Sequence, residues 1–113
     1  NMSKQQCYIK RGDSFSVPIQ FIDTETNLGL KITPEMVITS AIKNLRGEVI
    51  ATVLVEPYAD QDINAGFILL SVEPTVTQTW CVGNAFCDVK VALNGQVKHS
   101  ETITFMIKES ITP

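Results

Sequence analysis

The chain has 113 residues, a formal charge of −3, 44% hydrophobic and 19% charged residues. That length suits one domain, taken as residues 2–113, and that composition excludes a disordered chain. The nine Lys and Arg residues are scattered apart from the pair Lys10-Arg11, so no nucleic-acid partner is expected. No apolar run approaches the roughly 20 residues that span a bilayer, so membrane insertion is not expected either.

Asn1 ahead of Met2 reads as a residue left by tag cleavage and is set aside, and the polar start Ser3–Gln6 has no signal-peptide character. Gln6–Lys10 is a short candidate strand. Arg11-Gly12-Asp13 then breaks the chain; although Arg-Gly-Asp invites an integrin-binding reading, Gly and Asp at this spacing predict a tight turn. In Phe15–Ile22, Phe15, Val17, Ile19 and Phe21 share one face, the signature of a half-buried strand. Pro18 cannot donate a ladder hydrogen bond, which predicts an edge or bulged strand. Asp23–Asn27 reads as a polar turn, and its two carboxylates fall short of a calcium ligand set.

Leu28–Thr33 leads into a Pro34-Glu35 turn. Met36–Lys43 is a strand of ambiguous phase, and Asn44–Glu48 with Gly47 is a hairpin turn. Val49–Glu56 is apolar on both faces, which predicts a central or doubly covered strand. Pro57–Ala65 is the longest polar link. Gly66–Val72 sends Ile68, Leu70 and Val72 to one side, Phe67 and Leu69 to the other. Pro74–Trp80 is the one helical candidate, a turn or two with Pro at its start, and Trp80 is expected to close one end of the core.

The strongest local signal comes last. Cys87, Val89, Val91 and Leu93 alternate with Asp88, Lys90 and Asn94. Past Asn94-Gly95, a hairpin turn pair, Val97, Ile103, Phe105 and Ile107 alternate with Lys98, Thr102, Thr104 and Lys108. Residues 109–113 form a tail. Six or seven short strands, evenly spaced turns and one short helical turn predict an all-β, two-sheet antiparallel β-sandwich of immunoglobulin-like architecture, with a closed barrel as the alternative.

No motif carries catalysis, and no cofactor is expected. His99 is the single histidine; neighbouring residues on a strand point to opposite faces, so Ser100 and Glu101 beside it are not expected to assist it and a surface histidine is expected. Three cysteines, Cys7, Cys81 and Cys87, lack a disulfide or zinc spacing. Reduced thiols are expected, with a Cys81–Cys87 bridge as the alternative. Apolar residues in both phases of the Val49–Val55 and Phe67–Leu70 strands predict an outward patch built on Ile50, Leu54, Phe67 and Leu69. Either loops cover it or it meets a partner or a second copy.

The segment Ile9-Lys10-Arg11-Gly12-Asp13-Ser14-Phe15-Ser16-Val17 resembles the opening of small proteins encoded by phages and prophages, where an xGD(T/S)F turn leads into an alternating strand. The Asp23–Thr33 link, Glu73–Gly83, Asp88-Val89-Lys90-Val91, Gly95 and Thr102–Phe105 continue the likeness. It is also similar to the N-terminal sandwich domain of phage baseplate upper proteins, without the downstream region those proteins carry. The resemblance implies a non-enzymatic tail or baseplate module made in bacterial cytoplasm and then held in the virion. It would act by contact with other virion proteins or with itself. The alternative is an adhesin-like carbohydrate- or cell-surface-binding module, for which Tyr8, Tyr58 and Trp80 would have to converge. A small hydrolase would need His99, or two acidic residues, facing a cleft.

Overall fold

The computed structural model describes residues 7–99 and 102–110. Its strands are β1 (Tyr8–Lys10), β2 (Phe15–Gln20), β3 (Val37–Asn44), β4 (Val49–Pro57), β5 (Phe67–Val72), β6 (Gly83–Leu93), β7 (Gln96–His99) and β8 (Ile103–Lys108), with one short helix, α1 (Pro74–Thr77). The hydrogen-bonded order is β1-β8-β6-β3-β4-β5-β2, with β7 paired to β6 beside β8. All pairings are antiparallel except β1 with β8.

β4 folds this path into a sandwich. Its first half pairs with β3, from Ala51 opposite Ile42 to Val53 opposite Ser40. Its second half pairs with β5, from Leu54 opposite Ser71 to Pro57 opposite Ile68. A strand that changes sheets makes a corner. The register jumps from Ile42–Ala51 to Lys43–Val49, leaving Ile50 as the extra residue of a bulge. The apolar character of Val49–Val55 on both faces follows from this central position.

The core lies between the two layers. Phe15, Ile68, Leu70 and Val72 come from the β2–β5 side, and Ile42, Ala85, Cys87, Val89, Phe105 and Ile107 from the other. Burial of each large side chain contributes about 1.5–3 kcal/mol. Trp80, 2% exposed, closes one end as expected. Its ring packs edge-on to Phe15 at 6.4 Å and lies 6.1 Å from Phe105, and its Nε1–H donates to the Ile50 carbonyl at 3.2 Å. Burial of Ser40 and Ile42, with Ile38 packed against the core, settles the phase of β3. β2 sits at an edge, as Pro18 predicts.

Two expectations need correction. The described residues form eight strands rather than six or seven, because β1 pairs with β8 and the last hairpin arm divides into β7 and β8. That division also overturns the shared face of Val97 with Ile103, Phe105 and Ile107. Val97 lies opposite Ala92 whereas Ile103 lies opposite Cys87. Those partners sit on opposite faces of β6, so the register slips by one residue between the two halves and Val97 turns outward, 53% exposed. Ser100 and Glu101 lie outside the described residues.

Candidate functional site: a cleft between the two sheet edges

Because β4 turns one layer over the other, the two ends of the strand path approach along a seam. On one half the seam is closed. The Arg11-Gly12-Asp13 turn carries the chain from β1 across to β2 and is stitched to α1. The Gly12 amide donates to Thr77 Oγ1 at 3.0 Å, and that hydroxyl donates to the Asp13 carbonyl at 2.7 Å. The Arg11 guanidinium reaches Glu109 at 2.7 Å and the Gln78 carbonyl at 3.1 Å. The tripeptide is therefore an anchored turn, with its arginine engaged internally.

On the other half the seam is open. A cleft of about 1080 Å³ lies between the end of β2 with the crossover that follows it and the β6–β7 hairpin. Ile19, Phe21, Ile32 and Met36 line one side, and Val91, Leu93 and Ile103 the other. Asp23, Thr24 and Glu25 add polar groups to the first side; Asn94, Gln96, Lys98 and His99 add them to the second. The wall is built locally by turn chemistry. Asp23 Oδ1 accepts the Glu25 amide at 2.8 Å, and Asn27 takes a positive φ of 61°. Leu30 then returns to β2, its amide donating to the Phe21 carbonyl at 2.8 Å. Gly66 backs this wall with φ +84°, and a Cβ there would run into the Phe21 carbonyl oxygen. Among the described residues no ion pair joins Lys98 or His99 to Asp23 or Glu25.

These residues come from five segments, and neither periodicity nor motif links them. One signal was present in the sequence. Gln96 and Lys98 lie opposite Leu93 and Val91, on the face that is apolar along the rest of β6. Polar residues at inward positions mark a place where the layers no longer touch.

The outward patch is only partly as expected. Leu54 is 59% exposed, and Phe67 and Leu69 are half-buried on the same side of the β2–β5 layer, Leu69 beside Pro18 and Glu56. Phe67 is further shielded by the Tyr58 ring at 5.5 Å. Ile50 does not join them, because the bulge turns it against the core.

Other candidates are dispersed. His99 is exposed on β7 at the cleft rim. Cys7 and Cys81 are exposed and Cys87 is buried, all three as free thiols. Burial pushes the Cys87 thiol pKa up, partly offset by its hydrogen bond with Ser40. The aromatic platform of a sugar-binding module is absent among the described residues. Trp80 is buried, Tyr8 sits on β1 under the Lys108 ammonium, and Tyr58 lies past β4 against Phe67.

No family model matches the chain, and no curated protein matches it. Among solved structures it is similar to CopC from Methylosinus trichosporium OB3b, with a TM-score of 0.57 and 13% identity over 94% of this chain and 86% of that chain. At that identity the likeness shows the fold, a β-sandwich. It is a likeness to CopC and not to a phage protein, and it overturns the expectation of a phage tail or baseplate module. The motifs behind that expectation were a Gly-Asp turn, an Asp-led turn and a Pro-started helical turn. Any small sandwich needs such connections, so they report the fold and not the role.

Proposed function

We propose that this chain is a non-enzymatic binding domain whose site is the open cleft, and that the ligand is elongated and largely apolar. The carrying observation is the cleft itself: about 1080 Å³, lined by Ile19, Phe21, Ile32, Met36, Val91, Leu93 and Ile103 together with polar residues of the Asp23–Glu25 turn and the β6–β7 hairpin. Concave, mostly apolar sites with a few polar groups are where ligands are held. The single imidazole, His99, makes no side-chain hydrogen bond to a Ser, Thr or Cys among the described residues. The likeness to CopC, at 13% identity, supports the β-sandwich fold and no ligand.

The test is a fluorescence titration with the apolar dye anilinonaphthalene sulfonate on the folded protein and on Met36→Lys and Leu93→Lys. Both positions are partly exposed on the cleft wall, so these variants are expected to fold, checked by circular dichroism. Saturable binding lost in both variants supports the proposal. Binding unchanged by either variant, or none at all, overturns it. Weak self-association through Leu54, Phe67 and Leu69 is a separate proposal, resting on the exposure of Leu54. Light scattering on the protein and on Leu54→Lys tests it, and a monomer at all concentrations removes it.

A further inference from the structure

We infer that Asn94-Gly95, at the tip of the β6–β7 hairpin, is a site of spontaneous backbone modification, and that isoaspartate formed there unfastens β7 from β6. The inference stands whatever the cleft binds. Asn94 is the one asparagine of the chain followed by glycine; the others precede Met2, Leu28, Leu45, Ala65 and Ala85. A side-chain amide is attacked most readily when the next main-chain nitrogen belongs to glycine. No side chain crowds that nitrogen, and the glycine backbone turns freely. Asn27 makes the contrast within this molecule. It too is left-handed, at φ 61° against 50° for Asn94, but Leu28 follows it.

The reaction consumes only water. The Gly95 nitrogen loses its proton and attacks Asn94 Cγ. The new N–Cγ bond closes a succinimide ring, the Cγ–Nδ2 bond breaks, and Nδ2 leaves as ammonia. Water opening the ring at Cγ gives aspartate. Water opening it at the main-chain carbonyl gives isoaspartate, whose backbone runs through Cβ and Cγ and is longer by a methylene. No group is oxidised or reduced.

The tip is open to this chemistry. Among the described residues no hydrogen bond holds the Asn94 carboxamide, and the Gly95 amide donates to no carbonyl. A Cβ on Gly95 would meet nothing within 4 Å, so the turn stands clear of the rest of the fold. β7 exposes every one of its residues, Gln96–His99. A strand that buries so little opens locally at low cost, which frees the turn to reach the ring-closing geometry. The consequence follows from the loop's length. Leu93 pairs with Gln96 across only Asn94 and Gly95, and a two-residue loop fixes the register of its strands. A longer backbone at Asn94 therefore breaks the Leu93–Gln96 pairing first and loosens Val97 from Ala92 next.

The experiment incubates the full chain at mildly alkaline pH, where the Gly95 amide more often gives up its proton. Peptide mapping by mass spectrometry scores each asparagine, and fragmentation separates isoaspartate from aspartate. Asn94→Gly is the control, since Gly-Gly suits the same turn and has no amide to lose. Asn94 is expected to convert ahead of Asn27, Asn44, Asn64 and Asn84, with isoaspartate exceeding aspartate. The amides of β7 should then exchange hydrogen about tenfold faster for each ladder bond lost, while incubated Asn94→Gly stays unchanged. Asn94 still intact after another asparagine has converted overturns the site. Isoaspartate formed with β7 exchange unchanged overturns the unfastening. Asn94→Asp supplies the new charge without the longer backbone. Exchange in fresh Asn94→Asp as fast as in the aged protein would assign the effect to charge, and overturn the role given to isoaspartate.

Discussion

Replacing Thr77 by valine removes the hydroxyl that stitches the Arg11-Gly12-Asp13 turn to α1, with little change of shape. Thr77 is fully buried. Its Oγ1 accepts the Gly12 amide at 3.0 Å and donates to the Asp13 carbonyl at 2.7 Å. Valine leaves both groups without this partner, and an unsatisfied buried polar group costs about 1–3 kcal/mol; Gly12 is half-buried and Asp13 exposed, so water offsets part of the loss and the pair comes to roughly 2–4 kcal/mol. For 113 residues, an unfolding entropy near 2.1 cal/mol/K per residue converts each kcal/mol into about 4 °C. Thr77→Val should then lower Tm by roughly 8–16 °C. Thr77→Ser keeps the hydroxyl and loses a methyl, at about 1 kcal/mol. Differential scanning calorimetry of both variants decides the matter. Valine melting at or above serine would refute the assignment of this hydroxyl as the latch of the closed seam.

Gly66→Ala should be strongly destabilising, by more than about 2 kcal/mol, since it combines a positive φ with a collision at the Phe21 carbonyl. Gly47→Ala, with φ +81° and open space around it, should cost only about 1 kcal/mol; urea melts compare the two. In the native protein a thiol reagent should label Cys7 and Cys81 promptly, and Cys87 only on unfolding, because that thiol is buried and its pKa raised. The Lys31–Asp62 pair, at 2.6 Å, makes a pH prediction with a definite sign. The Asp62 pKa is lowered by its hydrogen bond to Lys31, so its contribution is present above the usual carboxylate range and is lost as pH falls through the lowered folded-state value. The Lys31 pKa is raised by the same bond, so its contribution is present below the usual lysine value and fades as pH rises through the raised one. Asp62→Asn should flatten both limbs of a Tm-against-pH curve.

Much of the fold was legible because period-two alternation is imposed by the strand itself. Phe15–Phe21, Ile68–Val72 and Cys87–Leu93 place their apolar phases inward as read. Pro18 at an edge and Asn94-Gly95 at a hairpin tip follow from covalent geometry. What failed were the places where alternation is reset. The bulge at Ile50 and the register slip between His99 and Ile103 each reverse which face a residue takes, and neither leaves a mark in composition. The cleft was illegible for a related reason. It exists because β4 changes sheets and β1 closes only half of the resulting seam, a property of long-range pairing. The expectation of a phage tail or baseplate role failed because turn motifs constrain backbone geometry rather than role.

The central claim, that the open half of the seam is the binding site, is tested most directly by NMR chemical-shift mapping on labelled protein titrated with sodium decanoate. The account predicts saturable shifts at Ile19, Met36, Val91, Leu93 and Ile103, with Leu54 and Leu69 unmoved. Shifts confined to Leu54 and Leu69, or none at saturating ligand, would contradict it.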